Sequence, residues 1–189
     1  MARTLDPAID QAVIDATRTL LAERGFARTS MASVAAAAGV GKPAIYRRFP
    51  DKAALVAAVI ADRLPRLDPP DLDDTRAELW AAVEQAFPQD GDGYVTLLGG
   101  LMAERTRHPE LLEAFRREVL LPRRAIVRGL IARGQRRGDL RDDISPGAAL
   151  DLLAGPFLAR VFAGLDTGRR WRRYAFAAWW TLVSTQETP

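Results

Sequence analysis

Six basic side chains lie between residues 24 and 52: Arg24, Arg28, Lys42, Arg47, Arg48 and Lys52. Asp51 is the one acid among them, so this stretch carries a local charge of +5 while the whole chain carries +3. Lys42 and Lys52 are the only lysines in the protein. Cations fixed at this density neutralise phosphates, which is the chemistry of holding a polyanion rather than of breaking bonds. Charge alone fits a solvated basic face equally well, so the elements that carry these residues must decide.

Bond-breaking chemistry has few candidates. The chain has no cysteine, which removes disulfides, thiol nucleophiles and zinc–cysteine sites. Its one histidine, His108, precedes Pro109 and reads as a surface residue at a helix entry. No His, Asp or Glu cluster has metal-ligand spacing, and no Gly-rich phosphate loop or histidine-based dyad is present. An enzyme, a metal site and a cofactor are therefore not expected.

The elements around the basic residues are short and sharply bounded. Asp6-Pro7 is a helix start, and Ile9, Val13, Ala16, Leu20 and Leu21 recur at helical spacing behind it. Gly25 ends that helix, and Phe26 is placed to pack back on it. Thr29 and Ser30 are the next cap candidates, and Val34–Ala38 form a brief helix closed by Gly39. Val40 anchors the turn. Gly41 or Lys42 opens another helix, where Pro43 is tolerated because first-turn amides have no intrahelical partner. Ile45 and Phe49 share its inner face, and Pro50 ends it. Asp51 caps a helix whose apolar stripe is Leu55, Val56, Val59 and Ile60. Two short helices around a Gly-containing turn make a helix-turn-helix, whose second helix fits the major groove.

The run TSMASVAAAAGVGKPAIYRRFPDKAAL, Thr29 to Leu55, resembles the TetR family of bacterial transcriptional regulators. The resemblance rests on Thr29-Ser30, Val34-Ala35, Ala38-Gly39-Val40, Tyr46, Phe49, Lys52 and Leu55, with Glu23-Arg24-Gly25-Phe26 upstream. It covers about residues 8–60. It implies that Lys52 and Tyr46 grip phosphates, that Thr29, Ser30 and Ser33 lie near the DNA backbone, and that Lys42, Pro43, Ala44 and Arg47 face the groove. Gly41 also belongs to this surface, although many members carry serine there. The resemblance implies a homodimer on double-stranded operator DNA, a repressor released by a small-molecule effector.

The remainder reads as all-α. Residues 66–74, RLDPPDLDD, hold two prolines and four acids without periodicity and form a linker over about 65–73. Helices are expected at about 73–87, 93–107, 109–137, 146–164 and 169–185, with Pro122 kinking or splitting the third. This divides the chain into a helix-turn-helix domain, 1–52, and a helical effector-binding and dimerisation domain, 53–189, entered through a connecting helix at 51–64. Small residues crowd 148–164, and apolar side chains surround 171–183. Helices of that composition need cover on more than one face, and a second copy of the chain is the simplest cover. Gly99-Gly100 inside a helix marks a kink, a close approach or room for a ligand. Trp80, Phe87, Leu98, Met102, Phe115 and Phe157 are the candidate lining of an effector pocket, and an apolar or aromatic effector is expected.

The N-terminus has charges every few residues, unlike a signal peptide, and the apolar run Tyr174–Val183 is too short to span a bilayer. The expectation is a soluble, cytoplasmic protein without a membrane partner. One alternative stays open: an architectural DNA-binding protein that needs no effector. Against it, all of the net charge resides in residues 1–52, which hold eight basic and five acidic side chains.

Overall fold

The computed structural model describes residues 6–86 and 99–185. Among them the secondary structure is helical, apart from one isolated bridge between Leu140 and Ser184. The helices are α1 (Pro7–Arg28), α2 (Met31–Ala37), α3 (Lys42–Tyr46), α4 (Lys52–Arg63), α5 (Thr75–Ala86), α6 (residues 99–104), α7 (Pro109–Phe115), α8 (Leu121–Arg137), α9 (Pro146–Phe162) and α10 (Arg169–Val183). The expected helix at 109–137 is divided: α7 gives way to a π-helical turn, Arg116–Leu120, directly before Pro122 in α8. Proline has no N–H to give to the carbonyl four residues back, which a widened turn accommodates. Of the expected helix at 93–107, residues 99–104 are helical and 93–98 lie outside the described residues.

The starts read from sequence are present as hydrogen bonds. Asp6 Oδ1 accepts from Ala8 N at 3.0 Å, Asp51 Oδ1 from Ala54 N at 2.7 Å and Ser145 Oγ from Ala148 N at 3.2 Å. Gly25 interrupts α1 with φ 73°, a left-handed conformation that favours glycine.

The chain forms two compact units. The first comprises residues up to Arg63 together with Leu101–Leu120. It therefore reaches beyond the 1–52 segment delimited from sequence and takes in α4, α7 and the π turn. Val13, Leu20, Met31, Val34, Ala35, Ile45 and Leu55 form its core, with Val40 and Phe49 packed at the margin. Ala53, Ala54 and Ala57 are buried on α4, where small side chains let neighbouring helices approach.

The second unit comprises residues 64–100 and 121–189. Its core joins Leu79, Ala82 and Val83 of α5 to Val127, Leu130 and Ile131 of α8, Ala149 and Leu150 of α9, and Phe176, Trp179 and Val183 of α10. Trp179 Nε1 donates to the Ala149 carbonyl at 2.8 Å, which pins α10 to α9. The stretch 65–73 is not helical, yet it is fastened down: Leu67 is buried, and Asp68 N and Leu72 N donate to the side chains of Gln85 and Glu78. Gly134 of α8 is required by close approach. A Cβ there would overlap Thr75 Cγ2 and lie 3.0 Å from Leu140 Cδ1.

Candidate nucleic-acid interface

Ser30 starts α2 through a reciprocal capping box. Its Oγ accepts from Ser33 N at 3.1 Å, and its own N–H donates to Ser33 Oγ at 3.0 Å. Ser30 remains exposed and Ser33 half-buried. Thr29 departs from the expectation. It is 2% exposed, and its hydroxyl donates to the Gly25 carbonyl at 2.9 Å, satisfying an acceptor left by the break in α1. Its side chain belongs to the interior of the unit.

Gly41 is the N-cap of α3, with φ −73° and no side-chain cap bond. Ile45 is fully buried, and Phe49 N donates to its carbonyl at 2.8 Å, so helical hydrogen bonding continues past Tyr46. Lys42, Pro43, Tyr46 and Arg47 are exposed and Ala44 is half-buried. Tyr46, at 54% exposure, stands out from a helix whose opposite face is closed. The first unit thus presents a contiguous row of cationic, apolar and phenolic side chains on one rigid, short helix.

Two basic residues are placed differently. Arg48 is 5% exposed in its side chain; its guanidinium pairs with Asp10 of α1 and donates to the Ala44 carbonyl at 3.2 Å. It ties the end of α3 to α1. The sequence signal for this was weak, because Arg48 follows Arg47 and its partner is 38 residues away. Lys52 Nζ donates to the Phe26 carbonyl at 2.9 Å and lies 3.9 Å from the centre of the Phe26 ring. An ammonium has three donors, so two remain for another acceptor. Phe26 in turn meets His108 edge-on, with ring centres 4.7 Å apart. His108 is half-buried; its Nδ1 is 3.1 Å from Glu110 Oε1. The backbone N–H of Glu110 itself, then His108, hold the Glu110 carboxyl below the usual carboxylate range.

A short helix presenting a polar and basic face beside a capped helix and a glycine turn is the geometry of a DNA reader. The profile of bacterial regulatory proteins of the tetR family matches residues 13–59, and that of the tetracyclin repressor-like C-terminal domain matches residues 69–171. The chain belongs to the TetR family. It is a DNA-binding transcriptional regulator with an N-terminal helix-turn-helix followed by a helical domain. The uncharacterized HTH-type transcriptional regulator YdeS of Bacillus subtilis (strain 168) is 28% identical over 168 residues, covering 84% of this chain and 81% of its own. Rv1556, an uncharacterized HTH-type transcriptional regulator of Mycobacterium tuberculosis (strain ATCC 25618 / H37Rv), is 27% identical over 145 residues, 76% of this chain and 71% of its own. Among solved structures, the flavonoid-responsive regulator FrrA shares the fold with a TM-score of 0.65 at 22% identity, over 96% of this chain and 100% of that one. The TetR-family regulator SCO0332 does so with a TM-score of 0.61 at 23% identity, over 92% and 96%.

The expected pocket residues of this TetR-family chain that lie among the described residues fall in both units. Phe87 and Leu98 lie outside the described residues. Met102 is exposed and Phe115 buried, both in the first unit. In the second unit Phe157 is 1% exposed and Trp80 is half-buried against Phe176. An apolar residue at helical spacing fills a core as readily as it lines a cavity, which is why spacing could not separate the two. No described helix is long and apolar enough to cross a membrane.

Proposed function

We propose that this regulator acts as a homodimeric repressor that occludes operator DNA and is released by a small-molecule effector. One observation carries the dimer: α9 and α10 turn an apolar face outward. Leu152 and Phe162 on α9 are 47% and 65% exposed, and Tyr174 and Leu182 on α10 are 64% and 48% exposed. Gly155, Pro156 and Ala159 lie between the α9 pair on the same helical face. Side chains of this kind, contiguous on two adjacent helices, mark an interaction surface. Two copies meeting there form a four-helix contact and present two α3 helices to half-sites about 34 Å apart.

In this reading Tyr46 and Lys52 hold phosphates, and Ser30 and Ser33 lie along the backbone. Lys42 and Arg47 reach guanine edges, while Pro43 and Ala44 meet thymine methyls and Gly41 lets the backbone approach. Thr29 contributes through the turn it stabilises. The chemistry is binding and no catalytic group is assigned. Two measurements test the proposal. Light scattering at micromolar concentration should give twice the 20.7 kDa of one chain, and Leu152→Glu with Phe162→Glu should halve it. A gel shift against DNA upstream of its own and adjacent genes should survive excess unrelated duplex. A mass of one chain refutes the dimer, and equal competition by any duplex favours an architectural protein instead.

A further inference from the structure

Between α5 and α10 runs an open groove of about 460 Å³, within the size range of small-ligand sites. The helices are antiparallel there. Arg76 lies against Trp180, Trp80 against Phe176, and Glu84 against Arg169. Trp80 and Phe176 form the floor, with ring centres 5.3 Å apart and planes tilted by 58°. Ala77 and Ala177 also line the groove; Phe176 is 5% exposed, so half-buried Trp80 presents the more open part of the floor. Three guanidiniums line the groove, Arg76, Arg169 and Arg173, against one carboxylate, Asp74.

The charges are not equivalent. Arg169 Nε donates to Glu84 Oε1 at 2.6 Å and is neutralised by it. Asp74 caps α5, its Oδ1 accepting from Ala77 N at 3.0 Å. Arg173 has no ion pair among the described residues, and Arg76 is held only over the Trp180 ring, 5.6 Å from its centre. With Arg169 paired to Glu84, the lining keeps two guanidiniums without an ion pair among the described residues against the one Asp74 carboxylate, a net positive edge beside an aromatic floor that complements a flat apolar body carrying an anion. Along α10, successive side chains are about 100° apart, so Arg169, Arg173 and Ala177 form a face separate from that of Tyr174, Ala178 and Leu182. A dimer built on the latter leaves the groove open.

We infer that the α5–α10 groove binds a small aromatic carboxylate, with Arg76 and Arg173 on the carboxylate and Trp80 and Phe176 under the ring. This rests on the reading of the protein as effector-responsive, and it makes the effector of that reading an acid. It also replaces the pocket drawn from sequence, of which only Trp80 is retained.

The probe is 1-naphthoate, with the near-isosteric neutral 1-naphthamide as control, titrated into the full-length protein by ligand-observed NMR. Naphthoate should bind saturably, and naphthamide about tenfold or more weaker. Arg76→Gln and Arg173→Gln should each weaken naphthoate by about tenfold and leave naphthamide unchanged. Ala177→Trp, which fills the groove and keeps both arginines, should abolish both. Equal binding of acid and amide, indifference to both arginine substitutions, or no saturation up to about 10 mM overturns the inference. DNA binding without probe is measured on the same samples. Its loss in the unsubstituted protein tells against the regulator reading, whereas failure of the naphthoate series with DNA binding intact tells against the groove alone.

Discussion

Arg48 sits on the recognition segment, yet its side chain is directed inward, and Arg48→Met separates holding the reader from touching DNA. Methionine keeps the apolar stem and removes the donors. The lost bond to Asp10 is worth about 1.5 kcal/mol, the low end for charged groups, because Asp10 is 38% exposed and can rehydrate. The bond to the Ala44 carbonyl adds about 0.5 kcal/mol, since a free carbonyl at the end of α3 is readily wetted. The bond to the Asp6 carbonyl, at 3.4 Å and exposed, adds little. Urea unfolding should therefore show the first unit destabilised by about 2 kcal/mol. Asp10→Asn should cost about as much as the ion pair alone, and the double variant should cost clearly less than the sum of the two. DNA affinity should fall because α3 is less well held, while the slope of log K against log salt stays unchanged. A side chain that neutralises a phosphate predicts otherwise: its removal flattens the slope by about 0.9. Unaltered stability with a flattened slope refutes the positioning role.

Lys52→Ala is the converse case: fluorescence anisotropy across a salt series should show weaker binding on every duplex and a slope flatter by about 0.9 for each phosphate left without its cation. Gly134→Ala should destabilise the second unit by about 1–3 kcal/mol in denaturant unfolding, because Thr75 and Leu140 occupy the space of a methyl group. Glu78, 1% exposed, supplies a pH test. Burial works to raise its pKa, but bonds from Arg133, the Leu72 N–H and Arg137 outweigh it and hold the carboxyl below its ordinary 4.5. The unfolded chain then takes up the proton first, so the contribution is full above about pH 4.5 and is lost as pH falls further. Glu78→Gln should cost about 3 kcal/mol at neutral pH, the low end for breaking such a pair because both arginines keep access to water, and should flatten the acid limb. An acid limb identical to that of the unsubstituted protein defeats the assignment.

What could be read from the sequence was local. The caps at Asp6, Asp51 and Ser145, the buried Ile45 and the anchor Val40 follow from residue type and spacing over four or five positions. Helix existence was legible for the same reason. Side-chain partners were not, because they lie far apart in the chain. Nothing in RRF says that Arg48 turns back to Asp10 while Arg47 stays in solvent. Lys52 and Phe26 are 26 residues apart, and His108 joins them from a distant part of the chain. A pocket is illegible for a different reason: hydrophobic periodicity assigns a face to a residue but does not say whether that face is filled. The groove between α5 and α10 is lined in part by Ala77 and Ala177, which composition scarcely registers.

The first unit is built from two pieces of chain, residues up to Arg63 and Leu101–Leu120. During synthesis the apolar side of α4 therefore waits for α7 and the π turn. Completing the unit after Arg63 takes fifty-seven more residues, up to and including Leu120, which a ribosome adds in roughly 3–11 s. Until then α4 has α1 and, at Leu55, the α2–α3 core to cover it but lacks the cover of α7 and the π turn, and closing the loop costs entropy before packing offsets it. A nascent chain stalled before residue 109 carries every residue assigned to the DNA surface and an incompletely covered α4. Fragments ending at Arg63 should therefore aggregate or recruit chaperones more than the finished protein, even though the core that holds α3 is complete by Leu55.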